Sequence, residues 1–131
     1  MSAESAGSVE SEFVFEFAGD PYEVDQDATE LVAWFDADER LRGAAEARMK
    51  PAALGEMGGL ADAAKVALGA AGPLVKAFGT WLAARVRNKG PVKMSVSREG
   101  AGSFSVEASS VADIEALMPR IEAFFAGAQG V

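Results

Sequence analysis

The clearest pattern opens the chain. Val9, Ser11, Phe13, Phe15 and Phe17 alternate with Glu10, Glu12, Val14 and Glu16. Period two with an aromatic side and a mostly acidic side predicts a half-buried strand over 9–18. Gly19-Asp20-Pro21 reads as the turn that ends it. Asp27 and Glu30 have capping-box spacing. Leu31, Trp34 and Phe35 then share one helical face, which predicts a first helix from about 28 to 37. Gly43 interrupts. Ala45, Ala47 and Met49 alternate with Glu46, Arg48 and Lys50, the pattern of a short second strand closed by Pro51.

Residues 52–88 read as a two-part helix. Met57, Leu60, Ala64 and Leu68 make one helical stripe. Gly69-Ala-Ala-Gly72 breaks it, and Pro73 suits the first turn of a new helix. Leu74, Phe78, Trp81 and Leu82 carry that helix to Val86, and Asn88-Lys89-Gly90 stops it. Val92, Met94 and Val96, then Phe104, Val106 and Ala108, alternate with polar neighbours around Glu99-Gly100-Ala101-Gly102. This is a β-hairpin signature. Ser110 and Asp113 repeat the capping-box spacing before Val111, Ile114, Leu117, Met118, Ile121, Phe124 and Phe125, an apolar helical stripe. Pro119 inside it implies a kink or a break. The expected fold is α+β, in the order β-α-β-α(α)-β-β-α. A four-stranded mixed sheet carries helices mainly on one face. Residues 1–8 read as a disordered tail, 9–126 as a single domain and 127–131 as a frayed end.

Charge narrows the function classes. The net charge is −8. Residues 1–40 hold twelve acids and one base, while the remainder holds eight acids and eleven bases. An acidic chain repels phosphates, so nucleic acid is not the expected partner. The charge asymmetry suits a basic partner surface or contact between copies. The first eight residues lack the basic and apolar regions of a signal peptide, and a cytoplasmic location is the expectation.

Candidate chemistry is sparse. With neither Cys nor His, the chain lacks thiolate nucleophiles, the commonest general base and the commonest metal ligand. No catalytic, metal or cofactor site is expected. The ten serines have no activating base. Asp36 and Asp38 read as solvated. Gly55-Glu56-Met57-Gly58-Gly59 is glycine-rich, but no strand leads directly into it and no Gly-Lys-Ser/Thr ending follows. Close packing against a helix or another subunit suits these glycines better than a phosphate. The run 66–75 is uncharged but spans only about half a membrane. Arg85, Arg87, Lys89 and Lys93 form a basic cluster. It suits a helix C-terminus or an acidic protein patch.

The chain resembles the effector-associated constant component family of bacterial conflict systems, found in actinobacteria and other multicellular bacteria. The resemblance lies in Trp34-Phe35, Leu41-Arg42-Gly43, Pro51 and Gly55-Glu56-Met57-Gly58-Gly59-Leu60. It continues through Val66-Ala67-Leu68-Gly69, Gly72, Trp81-Leu82 and the hairpin near Glu99-Gly100. It covers about residues 25–125. It implies a small, non-enzymatic α/β partner of effectors such as caspase-like or trypsin-like peptidases, in antiphage immunity. The alanine-rich second strand and Pro119 depart from the pattern. The expected interaction segment contains Gly55, Glu56, Met57, Gly58, Gly59, Gly69, Gly72 and Trp81. A competing expectation is a latent, pore-forming effector. There, cleavage at Arg48 or Lys50, or oligomerisation, releases segment 52–88 to the membrane.

Overall fold

The computed structural model describes residues 11–49, 60–68, 72–98 and 102–127. Among these residues five strands and three helices follow one another: β1 Ser11–Phe17, α1 Pro21–Asp36, β2 Ala45–Met49, β3 Ala61–Leu68, α2 Gly72–Lys89, β4 Val92–Arg98, β5 Gly102–Ala108 and α3 Val111–Gly127. The sheet order is β2-β3-β1-β4-β5, and every neighbouring pair is antiparallel.

The sheet therefore has five strands, not four, and is antiparallel, not mixed. Both differences come from β3. Residues 61–68 form a strand where the spacing of Leu60, Ala64 and Leu68 suggests helix. β3 lies between β1 and β2, so the β1-α1-β2 crossover joins strands that do not touch. The β3-α2-β4 crossover likewise spans β1. The first six elements are thus a split β-α-β unit used twice, the ferredoxin-like arrangement, extended by β5 and α3.

β1 is the central strand. Its Phe13, Phe15 and Phe17 face the helix layer and are buried. Each helix delivers an aromatic ring onto this row. Phe35 of α1 lies 5.5 Å from Phe15, and Phe78 of α2 lies 4.9 Å from it. Phe125 of α3 stacks on Phe13 at 4.9 Å, and Trp81 of α2 meets Phe17 edge-on at 5.6 Å. Burying one such ring stabilises the fold by roughly 2–3 kcal/mol. Ala64 stands opposite both Phe15 and Ala47. Small side chains there leave volume for the rings, which explains alanine in a central strand despite its weak strand propensity.

Local signals set the helix ends. The Asp20 carboxylate accepts from the N–H groups of Tyr22 and Glu23, and Pro21 occupies the first turn. Helix α1 therefore starts seven residues before the predicted position of about 28: Asp20-Pro21 is a cap, not only a turn. Gly90, at φ +90°, donates to the Val86 carbonyl and closes α2. Ser110 Oγ accepts from the Asp113 N–H, and Asp113 accepts in return from Ser109 N. Of the kink or break expected at Pro119, the break does not occur: α3 runs through it from Val111 to Gly127. The proline is exposed, so the helical carbonyl that loses its donor lies on the solvent side.

Candidate interaction surface

The predicted basic cluster is distributed over three surfaces. Arg85 Nε donates to Asp27 Oδ1 at 2.8 Å, and its Nη2 donates to Oδ2 at 3.1 Å. Both side chains are less than a tenth exposed. Arg85 is thus a buried bolt between α1 and α2. Lys89 Nζ reaches Glu30 on α1 at 3.1 Å. Arg87 is exposed instead on the side of α2 that faces α3, where it lines the groove between those two helices. Lys93 lies on the uncovered sheet face, 3.5 Å from Glu107.

Of the predicted interaction segment, Gly72 opens α2 and is exposed, whereas Trp81 is core. Gly55, Glu56, Met57, Gly58, Gly59 and Gly69 lie outside the described residues, as does Lys50. Arg48 lies within β2. Its guanidinium donates to Asp62 at 3.0 Å and to Glu16 at 2.7 Å, across Ala63. Two carboxylates hold this guanidinium protonated well above its ordinary range, by the hydrogen bonds it donates to Asp62 first and to Glu16 second. Lys65 lies between Glu12 and Glu46 at 3.8 and 3.9 Å. These rows brace β1, β3 and β2 on the face without helices.

The helix layer carries a different kind of surface. Between α1 and α2 runs a groove of about 360 Å³, walled by Ala33, Trp34, Ala37, Trp81 and Ala84. Its lining is apolar, and the Glu30–Lys89 pair stands at its rim. Trp34 is 39% exposed, unlike Leu31 and Phe35 beside it, which are buried. Its Nε1–H donates to the Ala77 carbonyl of α2 at 3.1 Å. The hydrogen bond fixes the ring before any partner arrives, which lowers the ordering cost of binding. Helix α1 around it carries five acids and no Lys or Arg. A half-exposed, immobilised tryptophan in a small-residue groove has the physical character of an interface anchor.

The sequence pattern assigns Trp34 to the same face as Leu31 and Phe35 and so hides this site. The neighbouring alanines at 33 and 37 were the available signal, since they leave the ring uncovered. No set of three or more potential metal-ligating side chains converges among the described residues. No helix among them is long and apolar enough to cross a membrane. Within segment 52–88, residues 61–68 are hydrogen-bonded into the sheet on both sides.

The model of the family Effector Associated Constant Component 1 matches residues 19–125. The chain belongs to this family. No curated protein and no solved structure matches it. The match takes in α1, the groove and strands β2 to β5, starts just after β1 and extends to within α3. This effector-associated component therefore carries its aromatic groove inside the region that defines the family.

Proposed function

We propose that this chain is a non-enzymatic component of a bacterial conflict system that works by docking an effector, such as a caspase-like or trypsin-like peptidase. Membership of an effector-associated family supplies the class of partner. The single structural observation that carries the docking is Trp34, partly exposed and held by Ala77 in the α1–α2 groove. Glu30, half-exposed beside Lys89 at the groove rim, offers a carboxylate to a basic rim on the partner. An apolar side chain there would insert against the Trp34 ring and the alanines. The contact takes place in the cytoplasm.

The test is binding to the effector peptidase encoded beside this protein, followed by calorimetry with purified components. Trp34→Ala weakens binding by about tenfold or more, with the circular dichroism spectrum retained. Glu30→Lys slows association and reduces its salt dependence. Absence of binding to the neighbouring effector, or equal binding by Trp34→Ala, rejects the reading.

A further inference from the structure

The two edges of the sheet are built differently. β2 is five residues long, carries Glu46 and Arg48, and has a register shift at Arg48/Met49. Length, charge and irregularity of this kind discourage edge-to-edge pairing. β5 has none of these defences. It is seven residues long, contains one charge and no proline, and pairs with β4 in unbroken register from Gly102 to Ala108. Among the described residues no strand pairs with its outer side.

We infer that β5 is the self-association edge of this protein, pairing antiparallel with β5 of a second copy about a two-fold axis at Ser105. The sequence of the strand is self-complementary in that register. Phe104 falls opposite the partner's Val106, on the helix-covered face of both sheets. Aromatic and β-branched residues are favourable cross-strand neighbours. Glu107 falls opposite the partner's Ser103, so no like charges meet, and Ser105 faces its own copy. All seven residues of the strand find a counterpart. Shifting the axis to Glu107 sets two carboxylates against each other, and shifting it elsewhere shortens the ladder.

The rim beside β5 fits the same occupant. Phe104 is only partly buried, stacked on Phe124 of α3 at 5.8 Å. Arg120 lies across its ring, 5.4 Å from the centroid. A second sheet continuing past β5 would cover this half-exposed pair. The two copies then form one ten-stranded sheet with both helix layers on the same side. The α1–α2 groove lies between a helix packed on β3 and one packed on β1, away from this edge, so dimerisation leaves both grooves open.

The experiment is sedimentation of the full chain, with substitutions at exposed serines. The native protein is dimeric at about 100 μM, a concentration that populates even a weak edge pairing. Ser105→Lys weakens the dimer by at least about fivefold by setting like charges opposite each other. An equimolar mixture of Ser105→Lys and Ser105→Glu restores it. Because the chain has no native cysteine, Ser105→Cys gives a disulfide-linked dimer on oxidation. Ser103→Cys does not, since its own copy is about 13 Å away along the strands. A monomer at about 100 μM, a dimer indifferent to Ser105→Lys, or equal cross-linking by Ser103→Cys would overturn the assignment. Ser105→Cys is nearly isosteric, so the test survives if the lysine variant misfolds.

Discussion

Arg85 and Asp27 meet in a two-pronged ion pair between α2 and α1, 58 positions apart in the chain. A third N–H of the same guanidinium donates to the Gly90 carbonyl at 3.0 Å. One side chain thus ties α1, α2 and the turn into β4.

A buried pair of this kind holds its partners by mutual dependence. Removing one leaves the other charge desolvated and unpaired, at about 3–5 kcal/mol. Asp27→Ala should therefore destabilise the protein by about 3 kcal/mol, read as a fall in the urea midpoint. The double variant Asp27→Leu with Arg85→Met should recover most of the loss, because an apolar contact replaces the pair. A single variant costing less than about 1 kcal/mol would show that water reaches the site.

Arg48 makes the state of β2 measurable by protease. A trypsin-like enzyme must draw an extended segment into its active site, and it needs the arginine side chain in its specificity pocket. Here the Arg48 backbone pairs with β3 and its guanidinium bridges Asp62 and Glu16. Cleavage after Arg48 should be slow in the folded protein. Asp62→Asn with Glu16→Gln should accelerate it several-fold by freeing the side chain and loosening the edge. Mass spectrometry of timed digests identifies the cut after Arg48, because proline after Lys50 makes that neighbouring bond a poor substrate. Rapid cleavage at Arg48 in the native chain would show that β2 leaves the sheet easily, as release of segment 52–88 requires.

Much of this fold was legible because periodicity and residue type agreed. Phe13, Phe15 and Phe17 fit only a strand with one buried face. The Val92–Val96 and Phe104–Ala108 alternations fit only a hairpin. β3 was hidden because its alanines favour helix by propensity, while its burial depends on partners distant in sequence. Ala64 is small because Phe15 fills the space opposite it. Ala63 is buried because Arg48 crosses above it. Neither cause is local. The same holds for Arg85, which reads as one of four clustered cations until α1 brings Asp27 beneath it. Trp34 shares its periodicity with core residues, and only the width of the alanine groove separates it from them.

Asp38 and Arg40 form a surface pair with a definite titration signature. Arg40 donates its backbone N–H and its Nε to Asp38 Oδ1, at 2.9 and 3.2 Å, and its Nη2 to Oδ2 at 3.1 Å. These bonds, the side-chain ones first, hold the Asp38 carboxyl below the usual aspartate range. A depressed acid contributes stability that is present above its unfolded pKa and is lost as pH falls through the folded value. The pair is solvated, so the contribution to unfolding is slight and the titration itself is the better observable. Carboxyl carbon NMR should show Asp38 titrating low in the native protein. Arg40→Ala should return it toward the ordinary value.

Gly79 sets the distance between α2 and α3. A Cβ built on it would stand 2.9 Å from Met118 Cε and 3.0 Å from Sδ. Two effects then compete. Alanine in a helix interior gains about 1 kcal/mol over glycine, while overpacking costs about 1–3 kcal/mol. The obstructing atoms are the end of a flexible thioether, which can rotate away at small cost. Gly79→Ala should therefore change stability by less than about 1 kcal/mol. Gly79→Val has two Cγ atoms to place and less helical preference, so it should lose about 2 kcal/mol. If the loss arises at this contact, Met118→Ala will be non-additive with it, and the double variant will unfold less easily than the sum of the singles requires. Thermal unfolding of the four proteins measures the coupling. Strict additivity would mean that valine disturbs α2 itself and that the α2–α3 spacing is set by other residues.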